Sequence, residues 1–155
     1  MQAPAGGMVR MHRSGGSAFA AGLACLLALS GAVAADSLPA PGMYRIEVRI
    51  ALPNLQNNAP PMIAELCITA ADIETGQAFS LLSDNPLRRC DMLDYKLSAS
   101  AATYRIACEG PNRGSAVAEF NTTSNSFRGI IRMNMGGKNM TMSETQHGKR
   151  IGNCS

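Results

Sequence analysis

Phe127-Arg-Gly-Ile-Ile-Arg-Met-Asn-Met135 leads into Gly136-Gly-Lys-Asn139, and the chain returns as Met140-Thr-Met-Ser-Glu144. Two alternating runs on either side of a Gly-Gly reversal read as a β-hairpin. With Gly137 and Lys138 as its two-residue turn, Met135 faces Met140, Met133 faces Met142 and Ile131 faces Glu144. A side-chain period of two then places Met133, Met135, Met140 and Met142 on one face, with Arg132, Asn134, Thr141 and Ser143 on the other. The methionine face is the expected core side of a β domain.

The segments before this hairpin carry the same period. Met43 to Leu52 sets Tyr44, Ile46, Val48, Ile50 and Leu52 against Arg45, Glu47 and Arg49, the pattern of a half-buried strand. Met62 to Ile68 is a second, weaker strand. Thr69-Ala-Ala-Asp72 fits a capping box with Asp in place of Glu, and Gly76 sits where a short helix would stop. Gln77 to Arg89 has no period and contains Asp84-Asn-Pro86, so it reads as a loop. Cys90 to Ser98, with Leu93, Tyr95 and Leu97 apolar, and Thr103 to Cys108, with Tyr104 and Ile106, form a hairpin about Ala99 to Ala102. Ser115 to Asn121 buries Ala116, Ala118 and Phe120, and Gly148 marks the end of the last arm, leaving His147 and Gly148-Lys-Arg150 in a turn. The expectation is an all-β domain: an antiparallel meander of about seven strands, open or closed and barrel-like, with one short helix after the second strand.

The N-terminus reads differently. Arg10, His12 and Arg13 precede an apolar run from Ala18 to Leu29, and Ala32-Val33-Ala34 has the small residues a signal peptidase requires. Residues 1–35 are therefore expected to be a signal peptide, starting at Met1, Met8 or Met11 and cut after Ala34 or Ala35. Residues 36–155 are expected to form a single disulfide-linked β domain, periplasmic or secreted. Cys25 follows Gly22-Leu23-Ala24, but Leu26 to Leu29 prolongs the apolar run past it, which argues against lipid anchoring there. Loss of Arg10 and Arg13 takes the 14 basic residues to 12 against 11 acidic ones, a net charge of +1. No basic excess remains to attract nucleic acid, and no membrane-spanning segment is expected after residue 35.

The mature chain keeps Cys67, Cys90, Cys108 and Cys154. Four cysteines allow three pairings. The symmetry of Cys90 and Cys108 about Ala99 favours Cys90–Cys108 with Cys67–Cys154, the alternative being Cys67–Cys90 with Cys108–Cys154. Pairing Leu93 with Ile106 and Tyr95 with Tyr104 is out of step with Cys90–Cys108 by one residue, so a bulge is expected between them. Without Cys-x-x-Cys a redox role is not expected.

The four methionines are candidate Cu(I) ligands, because thioethers are soft and export exposes a protein to copper; their other role is core packing. His147 is the sole histidine of the mature chain. The carboxylate pairs Asp91/Asp94 and Asp72/Glu74 show no sign of burial, and no phosphate loop or zinc spacing occurs. An enzyme is thus not expected, nor a cofactor. The reading is an exported protein that binds an apolar small ligand or an envelope partner in the concavity of its sheet, with copper binding by the methionine hairpin as the alternative.

Several anchors together resemble a known family. They are Pro41-Gly42-Met43-Tyr44, Cys67-Ile68-Thr69, Cys90 with Asp94-Tyr95, Cys108-Glu109-Gly110, Met133-Asn134-Met135 and the terminal Gly148-Lys-Arg-Ile-Gly-Asn-Cys154. Spanning nearly all of residues 41–154, they are similar to domain-of-unknown-function family 3617 of exported bacterial proteins. That family often has Trp where Tyr44 and Tyr104 stand and Pro where Ala70 stands. The resemblance implies a Gram-negative envelope location and brings no activity with it.

Overall fold

The computed structural model describes residues 37–53, 60–110, 113–136 and 140–155. The expected Gly137–Lys138 turn, Cys25 and the cleavage site at Ala34 and Ala35 lie outside the described residues. Seven antiparallel strands form one sheet: β1 (Gly42–Ala51), β2 (Met62–Ile68), β3 (Asp91–Leu97), β4 (Ala101–Ala107), β5 (Ser115–Thr123), β6 (Ser126–Asn134) and β7 (Thr141–Gly152). Their order is β2-β1-β7-β6-β5-β4-β3. The chain therefore meanders from β3 to β7, and β1 adds beside β7. The sheet does not close into a barrel, because β2 and β3 remain as its two edges. Among the described residues no helix is long and apolar enough to cross a membrane.

Alternation sets the register of the last hairpin. Met133 pairs with Met142 and Ile131 with Glu144, and the Met135 amide donates to the Met140 carbonyl at 2.9 Å. The same period buries Tyr44, Ile46 and Val48 of β1 and Ala116, Ala118 and Phe120 of β5. The short helix α1 (Ala70–Thr75) begins with the capping box, the Thr69 hydroxyl accepting from the Asp72 amide while the Asp72 carboxylate accepts from the Thr69 amide. The Thr69 amide, and then the Thr69 hydroxyl, donate to the Asp72 carboxylate and hold its pKa below the ordinary value. Gly76 ends the helix at φ 84, a left-handed conformation that costs glycine no steric strain.

The segment from Gln77 to Arg89 is not an external loop. It contains two 3-10 turns, Gln77–Phe79 and Pro86–Arg89, and its Phe79, Leu81 and Leu87 are buried in the same core as the inner face of the sheet. Phe79 lies 5.1 Å from the Phe120 ring and meets Phe127 edge-on at 5.5 Å. Aperiodic sequence is what a covering segment requires: it crosses strands instead of joining them, so apolar residues occur only where it touches the sheet. The side of the sheet expected to be open to a ligand is thereby covered by the chain itself.

Side chains of the sheet hold this segment down. Tyr104 donates its hydroxyl to the Phe79 carbonyl at 2.7 Å and Tyr95 to the Ile73 carbonyl at 2.6 Å, while Tyr44 donates to the Ala40 carbonyl at 2.7 Å and secures the lead-in. Glu144, fully buried, accepts at one oxygen from the Leu82 amide (2.9 Å) and at the other from the Ser83 amide (3.0 Å), with Ser83 Oγ and Gln146 Nε2 as further donors. A buried carboxylate is tolerable only when donors replace its lost hydration, and these four do so.

Two glycines make room for the aromatic cluster. Gly129 is the cross-strand partner of Phe120 and Gly148 of Phe127. A Cβ at Gly129 would meet the Phe120 ring at 2.1 Å, and one at Gly148 would meet the Phe127 ring at 2.4 Å. The rings thus lie over bare backbone in adjacent pairs of strands. Gly148 does not end the last arm: β7 runs on to Gly152, and His147 and Gly148-Lys-Arg150 are strand, not turn.

The expected bulge is present in the β3–β4 hairpin. Register shifts between Leu93↔Arg105 and Lys96↔Thr103, with Asp94 at φ 52. The shift changes which residues face inward. Met92 pairs with Ile106 and packs on the core, so Leu93, placed inward by sequence, is instead 39% exposed.

All three tyrosines of the chain donate to backbone carbonyls, and burial raises the pKa of each, Tyr95 to about 12. The nearby Glu144 carboxylate adds to the effect at Tyr104, while Arg150 opposes it at Tyr44. The folded values lie above the unfolded 10.0, so the stability they confer is present below pH 10 and lost as pH rises from there toward the folded values. Tyrosinate absorbance should therefore stay near baseline at the pH where the unfolded chain is half ionised, and stability should be flat below that pH and decline above it. Ordinary titration of any tyrosine in folded protein would contradict this. Tyr104→Phe should cost about 1–2 kcal/mol in chemical denaturation.

Candidate functional site

Two places on the described structure bring chemically capable side chains together. The first lies at the β6–β7 end of the inner face. Met133 is buried, and Met135 and Met142 are partly buried against the core. Their three sulfurs surround one nitrogen: Asn85 Nδ2 is 3.3 Å from Met133 Sδ, 3.4 Å from Met142 Sδ and 3.7 Å from Met135 Sδ. Met140 departs from the expected set of four. It shares their face by alternation but lies just before β7 and is 58% exposed.

Asn85 enters this cluster because it is the N-cap of the Pro86–Arg89 turn, its Oδ1 accepting from the Leu87 amide at 2.9 Å. That bond decides the orientation of the amide and turns Nδ2 toward the sulfurs. In sequence, Asp84-Asn-Pro86 announces only a turn. What would have flagged a polar partner for the hairpin is Glu144, which alternation places on the methionine face. Nearby, Gln146 donates to the Ser80 carbonyl and to Glu144, while its own Oε1 is buried without a partner among the described residues.

The second place is an open groove of about 460 Å³ on the outer face, across β2, β1 and β7 and the β5–β6 turn. Ile63 and Ile151, 44% and 51% exposed, give it apolar walls, and Arg45, Glu47, His147 and Lys149 supply charge and polarity. Ile151 shares this face with His147 and Lys149 by alternation along β7, and the register shift between Met43↔Gly152 and Tyr44↔Arg150 leaves it unpaired with β1. His147 accepts at Nε2 from the Arg128 guanidinium at 2.6 Å. Arg45 pairs with Glu65 at 3.1 Å and Arg49 with Glu47 at 2.7 Å, all exposed pairs worth about 0–1 kcal/mol each.

The remaining sequence candidates are dispersed. Asp72 serves the helix cap, and Asp94 pairs with Arg105 in the bulge. Among the described residues no group of three His, Cys, Asp or Glu side chains is placed to hold a metal ion. Cys67 is joined to Cys154 and Cys90 to Cys108, with Cα separations of 5.4 and 5.0 Å. The first bond carries the C-terminal tail past the end of β1 to edge strand β2, and the second ties edge strand β3 to β4.

No curated protein and no solved structure matches the chain. A family model does, over residues 39–154, with the description "Protein of unknown function (DUF3617)". This span contains every described strand, both disulfides, the covering segment and the three converging methionines. The chain belongs to the DUF3617 family.

Proposed function

We propose that the protein is exported, acts by binding and not by catalysis, and engages its ligand in the outer groove. Export is supported by the basic start, the apolar run and Ala32-Val33-Ala34, and by two disulfides, which persist in oxidising compartments. Protein recovered from the periplasm should begin at Ala35 or Asp36; an uncut N-terminus or a lipid on Cys25 would refute this.

A binding role is supported by what the acidic residues and His147 do. Asp72 and Asp94 are engaged in a cap and an ion pair, and His147 lies on the outer face against a guanidinium. The inner face is taken by the covering segment, which leaves the outer one. One observation carries the reading there: two exposed isoleucines wall a groove that also holds Lys149 and Arg45, the latter paired with Glu65, against a single carboxylate, Glu47, that is itself paired with Arg49. Apolar walls with a few convergent polar groups suit a ligand with an apolar body and an anionic head.

Decanoate, decyl phosphate and decanol titrated into isotope-labelled protein test this. The two anions should shift resonances of Ile63, His147 and Ile151 and bind more tightly than the neutral alcohol, and Ile63→Glu should weaken them about tenfold. Shifts confined to other regions, or equal affinity for decanol, would count against the groove.

A second reading, soft-metal binding, is favoured by the convergence of three thioethers on one point. Thioethers select Cu(I) over harder cations. Disulfide-intact protein should take up one equivalent of Cu(I) against a competing chelator, and failure to do so would end this reading.

A further inference from the structure

We infer that a soft monovalent cation binds among Met133, Met135 and Met142 at the position occupied by the Asn85 amide, so that cation and amide compete for one site. The inference rests on the soft-metal reading and gives it ligands and a regulating group. Met133 and Met142 are cross-strand partners, and Met135 follows just past the end of β6, where its amide donates to the Met140 carbonyl and continues the pairing. Their convergence is therefore set by the hairpin and not by a loop. Metal–sulfur bonds are shorter than 3.3–3.7 Å, so the sulfurs must close in, and the three rotatable bonds of Met permit it.

The occupant is weakly held. Asn85 is only 5% exposed, yet among the described residues the acceptors of its Nδ2 are all thioether sulfurs. Sulfur is a weak acceptor, so this buried donor is poorly satisfied and is readily displaced. Charge favours the exchange. Glu144 is two residues from Met142 on the same face of β7, about 7 Å along the strand, and its carboxylate is fully buried. A neutral sulfur triad with an anion nearby accepts a single positive charge, while the lack of oxygen ligands within the triad disfavours hard divalent ions.

Displacement has a consequence beyond the site. Asn85 caps the Pro86–Arg89 turn through Oδ1. Moving its amide disturbs that cap, and the surface made by Asp84, Pro86, Arg88 and Arg89 changes with occupancy. Metal binding on the inner face is thus reported on the exterior of the covering segment.

The test is a titration of disulfide-intact mature protein with Ag(I), a redox-inert soft cation, followed by calorimetry and by methionine methyl resonances. The paired cysteines cannot compete for the ion. The expected result is one equivalent bound, with shifts at Met133, Met135 and Met142, at the Leu87 amide, and not at Met140. Met140→Leu should leave affinity unchanged. Met133→Leu/Met142→Leu should weaken it roughly 100-fold. Asn85→Ala, which removes the competitor, should tighten it severalfold. No binding of Ag(I) by the wild type would overturn the inference together with the soft-metal reading. Binding that shifts Met140 alone, or that survives the double substitution, would overturn this site while leaving that reading standing. Weaker binding by Asn85→Ala in folded protein would make the amide a ligand and overturn the competition. The wild-type methyl shifts decide the site even if a variant fails to fold.

Discussion

A carboxylate without access to water is the constraint around which the rest of this structure is arranged. Glu144 sits on the inner face of β7, where alternation sends an apolar side chain in most strands, and it is fully buried. Its charge is tolerated because two successive amides, Leu82 and Ser83, together with the Ser83 hydroxyl and the Gln146 amide, point at it. Losing one of these bonds to the buried carboxylate costs about 1.5–3 kcal/mol, the range for hydrogen bonds to a charged group. The bond network thus fixes where the covering segment lies on the sheet. With residues 82 and 83 anchored there, Phe79 and Leu81 on one side and Asn85 and Leu87 on the other fall onto the aromatic cluster and the methionines.

The open sheet depends on this covering. A seven-stranded meander with two free edges has one apolar face to bury, and here the connection between the edge strands buries it. Tyr95 and Tyr104 hold the first half of that connection and Glu144 the second. Each disulfide secures one edge strand. On the chain-entropy model the separation of 87 residues for Cys67–Cys154 is worth about 4.6 kcal/mol and that of 18 for Cys90–Cys108 about 3 kcal/mol. With the inner face filled, the outer face is the side that the segment leaves uncovered, whereas the proposed cation among the sulfurs requires the Asn85 amide to move and the sulfurs to close in.

Local rules made much of this visible in the sequence. The pairing of Met133 with Met142 follows from a Gly-Gly reversal and a strict period of two, and the start and stop of α1 from Thr69, Asp72 and Gly76. The bulge at Asp94 is legible as a one-residue disagreement between the pairing of the apolar faces and that of Cys90 with Cys108. Long-range contacts were not legible. Phe79, Leu81 and Leu87 have no period because they belong to a segment that crosses the strands, and Gly148 looks like a stop because nothing near it reveals that the Phe127 ring needs its bare backbone. Half of the metal candidate, the methionines on the hairpin, could be read directly. Asn85, the group that occupies their focus, could not, since its approach is a property of the covering segment.

Amide hydrogen exchange at Leu82 and Ser83 tests the central claim most directly. If the Glu144 carboxylate holds the covering segment to the sheet, both amides will be protected to a degree comparable with the central strands. Glu144→Gln, which keeps the shape and removes the charge, will release them along with the amide of Leu87. Exchange of Leu82 and Ser83 at the rate of an exposed loop in the wild-type protein, while the β6–β7 amides stay protected, would contradict the account.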